Sequence, residues 1–151
     1  MLSEMLGELN VSHAGSGYRG NKVSNSDATA SLGIFMSYEH KNNGILIDEI
    51  IKGGPLDKDK FNVTHGIIIT KIDGITIEKN QDVAKYFNRK SGKFMLLDVL
   101  DPTTKKTQTV TVKPISLGAE NRLLYNRWVK INEKEVEKLS NGALGYVHIP
   151  G

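Results

Sequence analysis

The dipeptide Ser12-His13 is the pair of neighbouring residues in this chain whose types suggest covalent catalysis. A histidine acts as a general base when its ring lies about 3 Å from the proton that it removes, and a third group usually orients the ring. Neighbouring side chains on an extended chain point to opposite faces. Ser12 is therefore a poor nucleophile for His13, and a catalytic His13 needs a hydroxyl from elsewhere. The alternative is a Ser-His dipeptide that arose by chance.

The remaining histidines and the acidic residues do not suggest a metal site. His40 and His65 lie in predicted loops without partners at metal-ligand spacing, which predicts exposed side chains. His148 lies in an apolar stretch and is interpreted as a hydrogen-bonded structural residue. Asp57 and Asp59 alternate with lysines but lack the glycine and the later glutamate of a calcium loop. We expect no metal ion and no cofactor.

Turn signals divide the centre of the chain into hairpins. Asn43-Gly44 and Asp73-Gly74 each separate two β-prone runs, and such dipeptides favour tight turns because both positions accept a positive φ. A third hairpin is predicted around residues 101–104. These signals predict five or six short strands.

Two short helices are predicted between these hairpins. Pro55 follows two glycines and suits the first position of a helix. Residues 80–89 place Val83, Tyr86 and Phe87 on one face, which indicates a second helix. The predicted fold class is α+β, mainly β, with a partly open β-barrel of five or six strands and two short helices.

The two ends of the chain follow a different pattern. A helical apolar stripe begins it, and a helix ended by Asn141-Gly142 precedes an apolar strand at residues 143–149. Such a strand needs pairing and cover. We therefore expect a segment of a longer protein, in which helical and strand pieces of an incomplete fold flank the barrel.

Composition excludes several classes of function. The chain has 151 residues, a net charge of +3 and no cysteine, which rules out disulfides and thiolate chemistry. Its basic residues are scattered among acids, whereas nucleic acid binding usually needs a clustered basic surface with aromatic side chains. No apolar run reaches the length of a membrane span. We expect neither nucleic acid nor a membrane as a partner.

The order of these elements resembles a PDZ domain. Ser31-Leu32-Gly33-Ile34 is similar to the Gly-Leu-Gly-Phe loop of that family, and residues 66–74 resemble another of its characteristic stretches. The sequence departs from the family at Ser31, normally glycine, and at Ile67, normally aspartate. The resemblance implies a groove that binds a peptide substrate or a peptide carboxyl terminus, with the peptide added to a strand edge.

The resemblance also implies roles for single residues. Backbone amides of the loop would form a nest for a carboxylate, and side chains of one strand and one helix would line a pocket. The amides would come from Leu32, Gly33 and Ile34, and the pocket from Ile34, Met36, Val83 and Phe87. In the alternative interpretation, Gly33 is only a turn residue and the four pocket residues belong to the core.

Segments on both sides of the barrel resemble tricorn-type serine peptidases. These are residues 4–13, residues 27–33 and residues 125–150, in the order found in that family. The resemblance implies that His13 is the general base and that Ser12 helps hold the catalytic geometry. A nucleophilic serine and a glutamate would follow in a second catalytic domain beyond Gly151, so we expect this chain alone to be inactive.

The resemblance implies a domain organisation as well. Residues 1–14 would end a first catalytic domain, 15–29 would form a linker, 30–116 the PDZ domain, and 117–151 the start of a second catalytic domain. It further implies peptide hydrolysis, a homo-oligomeric parent protein and a cytoplasmic location, with the periplasm as the alternative. The residues alone are also compatible with two other functions. One is a stand-alone peptide-binding adaptor, and the other is a related processing protease or a catalytically dead scaffold.

Overall fold

Short antiparallel strands make up most of the structure, a computed structural model that describes residues 27–150. The eight strands are β1 (Ala30–Ser31), β2 (Ile34–Met36), β3 (Ile45–Ile50), β4 (Ile68–Ile72), β5 (Ile75–Thr76), β6 (Met95–Leu100), β7 (Thr107–Val112) and β8 (Ile115–Ser116). The helical elements are a 3₁₀ turn (Asp59–Phe61), α1 (Ala84–Phe87) and α2 (Leu117–Leu139).

The strands form one sheet of six and one of two. In the large sheet β2, β3, β4, β6 and β7 lie side by side in that order, and β5 pairs with β4. β1 and β8 pair with each other, which brings the start and the end of the β-rich part together. The sheets do not close on themselves, so the predicted mainly β, partly open barrel is confirmed.

Alternation along the strands builds the core. Ile45 and Ile47 on β3, and Leu97 and Val99 on β6, are almost fully buried. Side chains of a strand point alternately to opposite faces, so each of these pairs lies on one face of the sheet. Burying a side chain of this size contributes about 1.5–3 kcal/mol. The buried cluster extends from Ala30 to Val112, and α2 contributes no buried residue to it.

The predicted Asp73-Gly74 turn is present and joins β4 to β5. Both residues have a positive φ, 49° at Asp73 and 79° at Gly74, as a two-residue hairpin turn of this type requires. The Asp73 carboxylate accepts hydrogen bonds from the Leu96 backbone N–H at 2.9 Å and from Lys90 Nζ at 2.7 Å. The turn is therefore tied to β6 by a side chain as well as by strand pairing.

The hairpin predicted at Asn43-Gly44 is present, but its connection is not a two-residue turn. β2 and β3 do pair, but residues 37–44 form a longer loop between them, and only Gly44 of the two has a positive φ. The Gly44 N–H donates to the Ile77 carbonyl at 2.9 Å, and the Asn43 side chain accepts from the Lys79 N–H at 3.0 Å. These long-range bonds hold both residues against the segment after β5, so the local turn preference is overridden.

The two short predicted helices are smaller than expected. Residues 52–56 form turns rather than a helix beginning at Pro55, and the nearby helical element is the 3₁₀ turn. Within residues 80–89 only α1 is helical, and it buries Tyr86 and Phe87 as predicted.

The predicted long helix is confirmed, whereas the strand predicted after it is not formed. The Ser116 side chain caps the start of α2 by accepting from the Ala119 N–H at 3.2 Å, and left-handed Asn141 and Gly142 follow its end. Residues 143–150 contain no strand, and no described strand lies beside them to form a ladder. His148 instead packs edge-on to the ring of Trp128 on α2, with the ring centroids 5.3 Å apart.

Candidate peptide-binding groove

A groove lies between β2 and α1, with the first turns of α2 as its third wall. β2 forms one edge of the large sheet and pairs only with β3 among the described strands. The groove encloses a cavity of about 340 Å³. A sheet edge beside an apolar cavity is the arrangement that extended peptides use when they add a strand to a sheet.

Five of the six groove residues predicted from the sequence line this cavity. They are Leu32, Ile34, Met36, Val83 and Phe87. Leu32 and Phe87 are also buried members of the core, whereas Ile34, Met36 and Val83 are half-buried and pack against it. The interpretation as pocket residues and the interpretation as core residues therefore both apply in part, because the floor of the groove is the surface of the core.

The loop before β2 depends on the sixth predicted residue, Gly33. Its φ is 67°, a conformation that side chains rarely adopt. A Cβ atom at Gly33 would lie 2.9 Å from Cδ of Pro55 and 3.0 Å from Cα of Gly54. The Gly33 carbonyl also accepts from the Ile51 N–H at 2.8 Å. Glycine is required here because the loop is packed tightly against the turn at residues 52–56.

The Gly33 amide is already hydrogen-bonded within the chain. Its N–H donates to the Ser31 Oγ at 2.8 Å, and the Ser31 hydroxyl donates in turn to the carboxylate of Glu120 on α2. The loop predicted to hold a peptide carboxylate is thus already linked, through the Ser31 hydroxyl, to a carboxylate of the protein itself. Sequence reasoning missed Glu120: the helix was predicted, but no signal in the sequence indicated which of its residues faces the loop.

Two further contacts hold α2 against the sheet. The Arg127 guanidinium donates to the Glu49 carboxylate on β3 at 2.7 Å and lies over the Phe35 ring, 5.3 Å from the ring centroid. Phe35 belongs to β2, so Arg127 links the helix to the groove's own strand. On the same helix, Leu117, Glu120 and Leu124 line the cavity.

The groove is acidic. Asp82 and Glu120 are the charged residues that line it, and it has no lysine or arginine in its lining. Asp82 accepts a hydrogen bond from the Ala84 N–H at 2.9 Å and so supports the start of α1. An anionic ligand group inside the groove would meet two carboxylates and no basic side chain of the lining.

The predicted catalytic pair lies outside the described residues. Ser12 and His13 both precede residue 27, the first residue that the structure describes. His40 is in the loop after β2, and His65, in the turn before β4, bonds to the Asp48 carbonyl at 2.6 Å. Within residues 27–150 no cluster of histidines and acids could hold a metal ion, and no helix is long and apolar enough to cross a membrane.

The family is decided by a comparison with protein-family models. The model of the tricorn protease PDZ domain matches residues 31–116, more than half of the chain. The chain belongs to the tricorn protease PDZ domain family. The resemblance noted in the loop before β2 and in residues 66–74 is thereby confirmed.

Curated relatives and a solved structure agree with this family. The chain is 25% identical to the tricorn protease of Thermoplasma volcanium, over 99% of this chain and 15% of that protein. It is 30% identical to a putative tricorn-like protease C-terminal subunit of Sulfurisphaera tokodaii, over 99% of this chain and 18% of that protein. A crystal structure of the tricorn protease superposes with a TM-score of 0.67 and 16% identity, covering 82% of this chain and 12% of that one, which shows the same fold.

These comparisons favour one of the functions that the sequence left open. The relatives are similar over 99% of this chain, well beyond the PDZ domain. That extent favours a tricorn-like protease segment over a stand-alone PDZ adaptor. The chain spans less than a fifth of the length of the curated relatives that it matches.

Proposed function

We propose that this chain supplies a peptide-binding PDZ domain and part of the catalytic apparatus to a serine peptidase of the tricorn type. The observation that carries the proposal is the family match over residues 31–116, together with the apolar groove beside the edge strand β2. The peptidase would hydrolyse peptides and would need neither a metal ion nor a cofactor.

In the groove, an extended peptide would pair with β2. Main-chain hydrogen bonds to Ile34 and Met36 would hold its backbone, and one apolar side chain would enter the cavity beside Val83 and Phe87. A cavity of about 340 Å³ is large enough for a leucine or phenylalanine side chain.

Catalysis would use His13 as the general base, with Ser12 supporting its position. The imidazole would accept the proton of a serine hydroxyl while that oxygen attacks the peptide carbonyl, and would then return the proton to the leaving amine. We propose that this nucleophilic serine and its glutamate partner lie in sequence outside these 151 residues, since the relatives are more than five times longer. On this proposal the chain alone hydrolyses no peptide.

Location and assembly follow from the same proposal. We place the parent peptidase in the cytoplasm and expect it to form a homo-oligomer through its catalytic domains. We expect no nucleic acid partner, because the basic residues are scattered among acids along the sequence.

The groove can be tested with a substitution that places a charge in the cavity. Val83→Glu should weaken the binding of fluorescein-labelled apolar hexapeptides at least about tenfold, because a carboxylate would occupy the apolar side-chain site. Ile75→Glu is the matched control, since Ile75 is 58% exposed on β5 and does not line the cavity. Fluorescence anisotropy measures the affinity. Equal affinities of both variants for the peptides would contradict the assignment of the groove as the peptide-binding site.

The catalytic assignment can be tested in the longer gene product. His13→Ala should lower kcat/KM for a fluorogenic peptide by about a thousandfold or more, as removal of a general base does in serine peptidases. His40→Ala, in an exposed loop, is the control. Full turnover by the His13 variant would exclude His13 as the base.

A further inference from the structure

The carboxylate of Glu120 lies where the groove meets the loop before β2. Glu120 is half-buried in the first turn of α2 and accepts a hydrogen bond from the Ser31 hydroxyl. The same hydroxyl accepts from the Gly33 N–H at 2.8 Å. A chain of two hydrogen bonds therefore runs from the loop backbone through Ser31 to a side-chain carboxylate.

The direction of β2 determines which end of a bound peptide would lie near Glu120. Every described strand pair in the protein is antiparallel, and an added peptide that follows this pattern runs opposite to β2. Its carboxyl end would then lie beside Ile34, next to Ser31 and Glu120. A free terminal carboxylate would meet the Glu120 carboxylate there, and like charges that close repel strongly.

The other walls of the groove do not offset this repulsion. Asp82 is the second charged residue of the lining, and no lysine or arginine lines the cavity. The Gly33 N–H, which could otherwise donate to a peptide carboxylate, already donates to Ser31. A peptide whose chain continues past this point, or ends in a neutral amide, avoids the charge conflict and still places an apolar side chain in the cavity.

We propose that Glu120 acts as a built-in substitute for a peptide carboxylate, so that the groove selects extended apolar segments without a free carboxyl end and discriminates against free carboxyl termini. Glu120 is the specificity-determining residue, and Ser31 positions it. This inference rests on the proposed peptide-binding function of the groove.

The test uses the whole chain and two sets of synthetic peptides. Fluorescein-labelled hexapeptides that end in valine, leucine, isoleucine or phenylalanine are made once as free acids and once as carboxamides. Their affinities are measured by fluorescence anisotropy for the wild type, Glu120→Gln and Ser31→Ala. Glu135→Gln is the matched control, because Glu135 lies exposed on the same helix outside the groove. Urea unfolding followed by circular dichroism establishes that each variant is folded.

The wild type and Glu135→Gln should bind the carboxamides at least about tenfold more tightly than the free acids. Glu120→Gln should reduce this ratio to about threefold or less by strengthening the binding of the free acids, and Ser31→Ala should reduce it in part. The proposal is overturned if the wild type binds free acids as tightly as carboxamides, or if Glu120→Gln leaves the ratio unchanged. If no peptide of either set binds any variant, the peptide-binding groove itself is wrong, and the selectivity falls with it.

Discussion

Short polar side chains hold the loops of this domain by accepting backbone N–H groups. Ser31 accepts from Gly33, and Asp57 accepts from the Gly53 N–H at 2.7 Å. The Gly53 N–H, with further help from Lys52, lowers the pKa of the Asp57 carboxyl below its usual value. Each of these bonds satisfies a donor that lies outside the strand ladders, which is why the loops around the groove keep a defined shape.

Asp73 is the acid whose ionisation we expect to affect stability most clearly. Hydrogen bonding to Lys90, and then to the Leu96 N–H, lowers the pKa of the Asp73 carboxyl below its ordinary value of about 3.9. A carboxyl with a lowered pKa in the folded state stabilises that state above the ordinary pKa. This stabilisation is lost as the pH falls below about 4 and passes through the folded-state pKa.

Asp73→Asn should therefore lower the free energy of unfolding at pH 7 by about 0.5–1 kcal/mol, and the difference from the wild type should shrink toward pH 3. Asparagine tolerates the positive φ of this position, so the turn itself is retained. Urea titrations at several pH values measure the difference, with Glu78→Gln as an exposed control beyond the same hairpin. A difference that does not change with pH would show that the Lys90 bond contributes nothing.

Among the secondary-structure elements, α2 connects the groove to the rest of the chain. It carries Glu120 into the groove, and its Arg127 contacts both Glu49 and Phe35. No residue of α2 is buried, so the helix lies on the domain surface and is held by a few polar and aromatic contacts. The orientation of this helix decides which of its side chains faces the loop before β2.

Arg127→Ala should loosen α2 from the sheet with only a small loss of stability, about 0.5–1 kcal/mol, because the pair with Glu49 is partly exposed. Backbone amides of α2 should exchange faster in hydrogen-exchange mass spectrometry, while those of β6 should be unchanged. Arg122→Ala, at an exposed position on the same helix, is the control. Unchanged exchange in α2 would mean that Arg127 does not hold the helix.

At the scale of the whole molecule, the hydrophobic core and the family match cover the same part of the chain. The buried cluster runs from Ala30 to Val112, and the family match covers residues 31–116. The pairing of β1 with β8 joins the two ends of this part. The domain thus contains its own core, and α2 with the residues after it adds surface contacts.

A chain shortened to residues 1–116 should consequently fold. We expect a cooperative urea transition followed by circular dichroism and a free energy of unfolding lowered by no more than about 2 kcal/mol, since no buried residue is removed. Loss of the cooperative transition would show that α2 is part of the folding unit.

Several elements could be predicted from the sequence because they depend on the backbone preferences of neighbouring residues. Asp73-Gly74 forms the predicted turn because both residues accept a positive φ, and α2 ends at the predicted Asn141-Gly142 for the same reason. The β-prone runs on either side of the turn signals identified the strands β3, β4 and β5. The PDZ family, too, was recognisable from the loop before β2 and residues 66–74.

Tertiary structure decided the features that depend on distant residues. Asn43-Gly44 has the same local preference as Asp73-Gly74, yet hydrogen bonds with Ile77 and Lys79 draw it into a longer loop. Residues 143–149 have the composition of a strand but no described neighbour to pair with. Ser31 and Glu120 are 89 positions apart, and only the packing of α2 on the sheet brings them together. Turn and helix preferences act over a few bonds, whereas strand pairing and the occupant of a groove depend on which surfaces the folded chain places side by side.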